Sequence, residues 1–282
     1  MIKFTLPDFY YFHTVNNKFI NLSRSHTNWL LDKNIVFSYI RGTFPYNIWN
    51  GGLNNMVGDT LLYPNIELII KQSNLPLWLD FSNILLEKSD FYDVMSNVIL
   101  KLLPNNCIFE ISNLDLLNYI NNKFPNLKYV ISKNANILYP LTPDIINNFH
   151  QNLNPLYIII PNEFKTSQQY LNEINNKENI IIPVNNLCNP KCKNYFQCPI
   201  VENNNILNYT FEPTFCNCKN SINNKQYITI KEIKDIYIPM GITNFLIDYF
   251  SNNENEYGLF LINYFIKPEF KEYAFQELFI RR

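Results

Sequence analysis

Glycine is scarce in this chain, six residues in 282. A Gly-rich phosphate loop needs several glycines where backbone meets ligand, and none follows the first strand-like run. Histidine is scarcer still, at three. No His-x-x-x-His and no Ser/His/Asp spacing occurs, so His13, His26 and His150 read as structural residues. Lys and Arg (23) nearly cancel Asp and Glu (24), for a net charge of −1. That balance excludes a broad electrostatic grip on nucleic acid or an anionic membrane. No run of about 18 apolar residues occurs, so no membrane span is expected. The first residues, Met-Ile-Lys-Phe-Thr-Leu-Pro-Asp, lack an uninterrupted apolar core with a small-residue cleavage site and do not read as a signal peptide. A cytoplasmic chain is therefore expected, in which thiols stay reduced and favour metal ligation over disulfides.

What is abundant is asparagine, about one residue in six, against an average composition led by Leu, Ala and Gly. It is spread along the chain, as a coding bias would spread it and a low-complexity tract would not. Residues 1–34 show weak periodicity and read as an N-terminal extension or short hairpin. From there apolar runs alternate with helical patterns. Strands are expected at residues 35–40, 77–81, 107–111, 127–131, 156–160, 180–184, 227–230 and 244–247. Between them, Phe91, Val94, Met95, Val98, Ile99 and Leu102 mark the clearest amphipathic helix. Pro64 reads as the first position of another, Thr142 as an N-cap, and Thr166 with Gln169 as a capping box. Strand–helix alternation at this spacing implies parallel βαβ units, and about eight strands close a barrel. The fold class is thus α/β, a TIM-like (β/α) barrel in distorted or incomplete form, with an open doubly wound sheet as the alternative. The expected organisation is the extension, a barrel over residues 35–250 with a cysteine-rich insertion at about 185–220, and a C-terminal helical segment over 251–282.

Five of the six cysteines crowd that insertion: Cys188, Cys192, Cys198, Cys216 and Cys218. Such crowding is rare for cysteines that merely fill a core, and thiolates are the ligands that zinc and iron–sulfur clusters prefer. Cys188-x3-Cys192 has knuckle-like spacing, Cys198 is a looser third, and either Cys216 or Cys218 completes four. Cys107 lies inside an expected strand and reads as core. In a barrel, functional groups gather at the C-terminal ends of strands. That face would collect the cysteines, the loop over residues 41–52, Asp80, Ser82, Asn83, Glu110, Asn113, Ser132, Lys133, Asn162 and Glu163. The candidate substrate contacts are Arg41, Trp49, Asn50, Asn83 and Glu163. The loop Phe44-Pro-Tyr-Asn-Ile-Trp-Asn-Gly-Gly52 has two equal readings, a lid whose glycines let backbone approach a ligand, or a turn anchored by Phe44 and Trp49. Asp80, Glu110 and Glu163 are open between acid–base work and ion pairing.

Three stretches resemble the collagenase-like peptidase family U-thirty-two: Gly42-Thr-Phe-Pro-Tyr-Asn-Ile-Trp-Asn-Gly-Gly52, Val184-Asn-Asn-Leu-Cys188-Asn-Pro-Lys-Cys192, and Tyr237-Ile-Pro-Met-Gly-Ile-Thr-Asn-Phe-Leu-Ile-Asp248. The resemblance implies a radical-SAM-like TIM barrel, although the loop after the first expected strand holds no cysteine. It also implies a four-iron four-sulfur cluster held by four cysteines, in a family whose members support hydroxylation of ubiquinone precursors or tRNA. By position Cys188 and Cys192 match the family's paired cysteines, and Cys198 falls where related sequences have His. Two departures stand out: Asn186 where Glu is usual, and Asp248-Tyr249 where the last strand usually continues with an acidic residue and Arg. The expectation is an iron–sulfur protein with a redox or hydroxylation role and an electron-transfer partner. A zinc-stabilised non-catalytic binding module is the alternative. A peptidase ranks last, because no nucleophile–base pair is visible.

Overall fold

The computed structural model describes residues 1–51, 63–185, 197–208, 227–248 and 253–280. Eight parallel strands run in chain order around a closed barrel: β1 (Ile2–Pro7), β2 (Ile35–Gly42), β3 (Leu77–Phe81), β4 (Ile108–Ile111), β5 (Lys128–Ile131), β6 (Tyr157–Ile159), β7 (Ile180–Pro183) and β8 (Asn244–Leu246). Pairing of β8 with β1 closes the ring, so the barrel is complete. Helices α1 (His13–Ser25), α2 (Tyr63–Gln72), α3 (Val94–Leu102) and α4 (Leu114–Lys123) follow the first four strands. The short α5 (Ala135–Leu138) and α6 (Pro143–Asn152) follow β5, and α7 (Gln168–Asn172) follows β6. After β7 come α8 (Gln197–Asn208) and α9 (Ile230–Glu232), and after β8 come α10 (Glu254–Phe265) and α11 (Lys271–Phe275). Among the described residues no helix is long and apolar enough to cross a membrane.

Two of the expected boundaries change. Residues 1–34 are not an extension: they hold β1 and α1, the first unit of the barrel. Residues 227–230 are not a strand: Tyr227 makes a single bridge, and helix α9 starts at Ile230 behind a capping box of Thr229 and Glu232. The expected total of eight thus contained one strand too many and one too few. β1 does not read as a continuous apolar run, because Lys3 and Thr5 alternate with Ile2, Phe4 and Leu6, of which Phe4 packs against the helices while Thr5 faces inward. The C-terminal helices likewise complete the last unit. Phe12 stacks on Tyr257 at 4.3 Å, and Tyr257 Oη donates to Asn16 Oδ1 at 2.7 Å. The Asn16 amide in turn donates to the carbonyls of Pro7 and Asp8. One buried asparagine therefore ties β1, α1 and α10 at the seam. Beside it the Phe4 ring meets Phe265 edge-on at 4.8 Å and Phe245 at 5.6 Å. Elsewhere Thr142 caps α6 as expected, whereas α7 is capped by Ser167, one residue after Thr166.

The barrel interior has a dry lower layer and a polar upper one. Trp78, Ile108, Val130, Ile159, Ile181 and Leu246 form one buried apolar cluster, with Tyr39 against it. Side chains two residues apart on a strand share a face. The residues two further on from Tyr39, Trp78, Ile108, Val130 and Leu246 are Arg41, Asp80, Glu110, Ser132 and Asp248. All five are buried.

Arg41 reaches this layer only because β2 is irregular. Phe4 pairs with Phe37, but the next residue, Thr5, pairs with Tyr39, leaving Ser38 as an extra residue. Phe37 packs outward against Phe19 and Phe265, whereas Tyr39 meets Trp78 inside. The bulge resets the inside–outside alternation, as an inserted residue must. Without it Arg41 would face the helices.

Deleting residues 1–34 is expected to abolish cooperative urea unfolding, since it removes a strand from a closed sheet. The point substitution Phe4→Ala should cost about 3–5 kcal/mol in the same assay. A truncated chain that still unfolds in a single sharp transition would contradict the closure described here.

Candidate functional site

At the C-terminal mouth of the barrel, a charge network covers the apolar floor. Arg41 Nε donates to Glu110 Oε2 at 2.5 Å and Nη2 to Glu110 Oε1 at 2.9 Å, a two-point pairing of guanidinium with carboxylate. Nη1 donates to Asp248 Oδ1 at 3.1 Å. The other Asp248 oxygen pairs with the Lys133 ammonium, and Ser132 Oγ donates to Glu110 Oε1 at 2.5 Å. Burial works against the charge on Arg41, but the carboxylates of Glu110, Asp80 and Asp248 outweigh it and raise the guanidinium pKa. Strands β2, β4, β5 and β8 are thus joined by side chains above their ladder bonds.

Asp80, on β3, sits beside this network without a direct bond to Arg41. Its Oδ1 accepts from the Ser82 amide at 2.9 Å and its Oδ2 from the Gly51 amide at 3.2 Å. Burial, then the neighbouring Glu110 carboxylate, raise its pKa to about 6, with Arg41 and the Ser82 amide opposing. A buried carboxyl that titrates near neutrality is suited to proton transfer. Lys165, in the loop after β6, reaches the same mouth, where Nζ donates to the carbonyl of Pro183 at the end of β7, at 2.9 Å. Burial, then repulsion by Lys133, lower its pKa to about 7, with Asp248 opposing.

The loop over residues 43–51 is strapped to β3. Asn47 Nδ2 donates to the Asp80 carbonyl, and Asn83 Nδ2 to that of Ile48. Phe44 and Trp49 are buried, and the Trp49 ring lies edge-on to Phe81 and Tyr119 while Nε1 donates to the Asp90 carbonyl. Gly51 is required by the protein itself: a Cβ there would lie 1.9 Å from Ser82 Oγ and 2.8 Å from the Ser82 carbonyl carbon. Of the two readings of this loop, the packed turn is the one realised over these residues; Gly52 lies outside the described residues.

Of the expected substrate contacts, Arg41 lies in the mouth. Trp49 packs in the outer core, away from it, and the amide of Asn83 serves the loop: Nδ2 donates to Ile48 while Oδ1 accepts from the Leu85 amide. Asn50 is buried in the same loop. Glu163 is half-buried and accepts from Asn136 Nδ2 at 2.9 Å. Of the expected metal ligands, Cys198 is buried at the start of α8; Cys188, Cys192, Cys216 and Cys218 lie outside the described residues. Cys107 is core, as expected. Among the described residues no three His, Cys, Asp or Glu side chains are grouped to hold a metal. The histidines are elsewhere: His13 contacts Asn17 on α1, His26 stacks on Trp29, and His150 is buried on α6.

Lys165 and the pairing role of Asp248 escaped the sequence reading. A lone lysine in the loop Ile160-Pro-Asn-Glu-Phe-Lys165-Thr-Ser167 carries no signal that it is buried. Asp248 was legible only as half of a missing acidic–Arg pair; the mouth nonetheless holds an arginine, contributed by β2.

With this geometry in view, comparison with solved structures finds a similar chain, the U32 peptidase Mk0906, at a TM-score of 0.54 and 11% identity. The alignment covers 89% of this chain and 94% of that one. The likeness is one of fold. It agrees with the barrel implied by the sequence resemblance and extends to no activity. No protein-family model and no curated protein matches the sequence.

Two outcomes follow from the charge layer. Glu110→Leu leaves the Arg41 guanidinium buried with half its partners, and should cost about 3–5 kcal/mol in urea unfolding. The Asp80 carboxyl, raised to about 6 in the fold from 3.8, binds protons more tightly native than unfolded. Its contribution to stability is therefore present in acid and lost as pH rises from about 4 to 6. Asp80→Asn should gain on wild type by about 1–3 kcal/mol between pH 4 and pH 7; an unchanged difference across that range would refute the raised carboxyl.

Proposed function

We propose that this chain is an iron–sulfur protein acting at the C-terminal mouth of its barrel, in a redox or hydroxylation-type step on a substrate not yet identified. The observation that carries this reading is the bridge between Asn185 and Tyr227, reinforced by the Ile228 amide donating to the Val184 carbonyl at 2.8 Å. It ties together the ends of the two cysteine-bearing stretches. Cys188 follows Asn185 by three residues, and Cys218 precedes Tyr227 by nine. Three residues of chain reach no further than about 11 Å. Asn185 itself is part of the mouth, since its Oδ1 accepts from the Asp248 amide at 2.8 Å. Helix α8, with buried Cys198, is anchored to the same rim through Asn203 Oδ1, which accepts from the Ile84 amide beyond β3 at 2.6 Å.

The donor set suits the cofactor: Cys188, Cys192, Cys198 and one of Cys216 and Cys218 supply four thiolates. When bound, a four-iron four-sulfur cluster supplies one-electron transfer or an iron open to substrate. The chain's own groups would act around it. Arg41 and Lys133 would orient a polar substrate, and Asp80 would move a proton. The likeness to a U32 peptidase by fold supports the scaffold of this reading, not its chemistry. The second reading, a zinc-stabilised binding module without catalysis, is favoured by the completeness of the Arg41–Glu110–Asp248–Lys133 pairing, which serves stability without any substrate. A peptidase is disfavoured by the placement of all three histidines away from the mouth.

Protein purified without oxygen is expected to be brown and to contain iron with matching acid-labile sulfide. Both should be lost in Cys188→Ala and Cys192→Ala but retained in Cys107→Ala. Stoichiometric zinc without sulfide would establish the second reading instead, and the absence of both metals would overturn the two together.

A further inference from the structure

The cations of the mouth are not treated alike. Arg41 is met by Glu110 and Asp248, and Lys133 by Asp248. Lys165 is only 3% exposed, yet among the described residues its Nζ has one partner, the uncharged carbonyl of Pro183. Its backbone is fixed from the other side, where Tyr237 Oη donates to the Lys165 carbonyl at 3.1 Å. A buried ammonium without a carboxylate is costly, and the group responds by giving up its proton. The pKa of about 7 expresses this, set by burial first and by Lys133 second. Around the same rim three further groups lack a hydrogen-bond partner among the described residues: Oδ1 of Asn162, three residues before Lys165, Oγ of Ser112, next after β4, and Oγ of Ser82, next after β3. Buried polar atoms are rarely left so, and a bound polar molecule is one way of satisfying them.

We propose that Lys165 is a nucleophilic amine that condenses with the carbonyl carbon of a small aldehyde or ketone bound in the barrel mouth. The lone pair of the neutral Nζ adds to the carbonyl carbon, and a proton passes from nitrogen to the former carbonyl oxygen. That hydroxyl then takes a second proton and leaves as water, while nitrogen loses its remaining proton and a C=N bond forms. The sum is amine plus carbonyl giving imine plus water, with no change of oxidation state and no need of a metal. Lys133 acts as a positioning residue, because its charge disfavours protonation of Lys165. A lysine serving only as a clip to Pro183 would need neither this neighbour nor a free lone pair.

The test is reductive trapping on the full chain. Pyruvate or glycolaldehyde is added with sodium cyanoborohydride, and the modified lysines are located by peptide mass mapping. Lys165 is expected to be modified at least about ten-fold faster at neutral pH than any exposed lysine, whose amine stays protonated there. Its rate should rise to a plateau with a midpoint near pH 7. Lys165→Arg keeps a donor for the Pro183 carbonyl and should fold with no adduct at that site. If that variant does not fold, Lys133→Met decides the matter: losing the repelling charge moves the midpoint of Lys165 modification upward. Adducts spread over surface lysines according to exposure, an unmodified Lys165, or a midpoint unmoved by Lys133→Met would overturn the proposal.

Discussion

A guanidinium cannot sit in a water-poor barrel unless charge comes to meet it. Arg41 imposes that demand from β2, and the mouth is arranged around the answer. Glu110 on β4 takes two of its N–H groups, Asp248 at the end of β8 takes a third, and Lys133 and Ser132 after β5 complete the two carboxylates. These residues lie at the C-terminal ends of four strands, β2, β4, β5 and β8, so the pairing fixes how the strand ends stand relative to one another. Buried ion pairs give little net stability, but removing one partner is expensive. The network therefore acts as a constraint on geometry more than as a source of folding energy.

Beneath it lies the apolar layer of Trp78, Ile108, Val130, Ile159, Ile181 and Leu246, which keeps the charges from water on that side. The same dry floor explains why the two groups left out of the pairing have displaced pKa values in opposite senses. Asp80 holds its proton to about 6 because its carboxylate is buried near Glu110. Lys165 loses its own at about 7 because its ammonium is buried near Lys133. Burial penalises whichever form is charged, so an acid and a base at one rim are both moved toward neutrality. The mouth thereby holds a set of ion-paired groups and, beside it, two groups outside that pairing whose pKa values are displaced to about 6 and about 7.

Much of the scaffold was legible in the sequence. Seven of the strands announce themselves as short apolar runs separated by helical periodicity, and the barrel class follows from their number and order. The missing one, β1, was masked because Thr5 faces inward and Pro7 ends the strand, so residues 1–34 looked like an appendage. The apparent strand at residues 227–230 was apolar for another reason: Ile228 and Ile230 are buried where the chain crosses the rim and starts α9. In the site, Asp80, Glu110, Ser132 and Lys133 could be placed at strand ends by counting. Trp49 and Asn83 could not be told from ligand contacts, since an aromatic or an amide in a loop looks the same whether it serves a substrate or the turn itself.

The sequence by itself determined the class of fold, the order of its strands, and the crowding of five thiols after the seventh, because these rest on local periodicity and composition. Only the tertiary structure decided which way the critical side chains point. Alternation counted from Phe37 sends Arg41 to the helices; the extra residue Ser38 turns it into the mouth, and a bulge exists only against the partner strand that defines it. The same holds for Lys165, whose chemistry comes from burial among groups contributed by β5, β7 and the end of β8. Side-chain direction and desolvation are properties of neighbours in space, and neighbours in space are what a linear sequence leaves unstated.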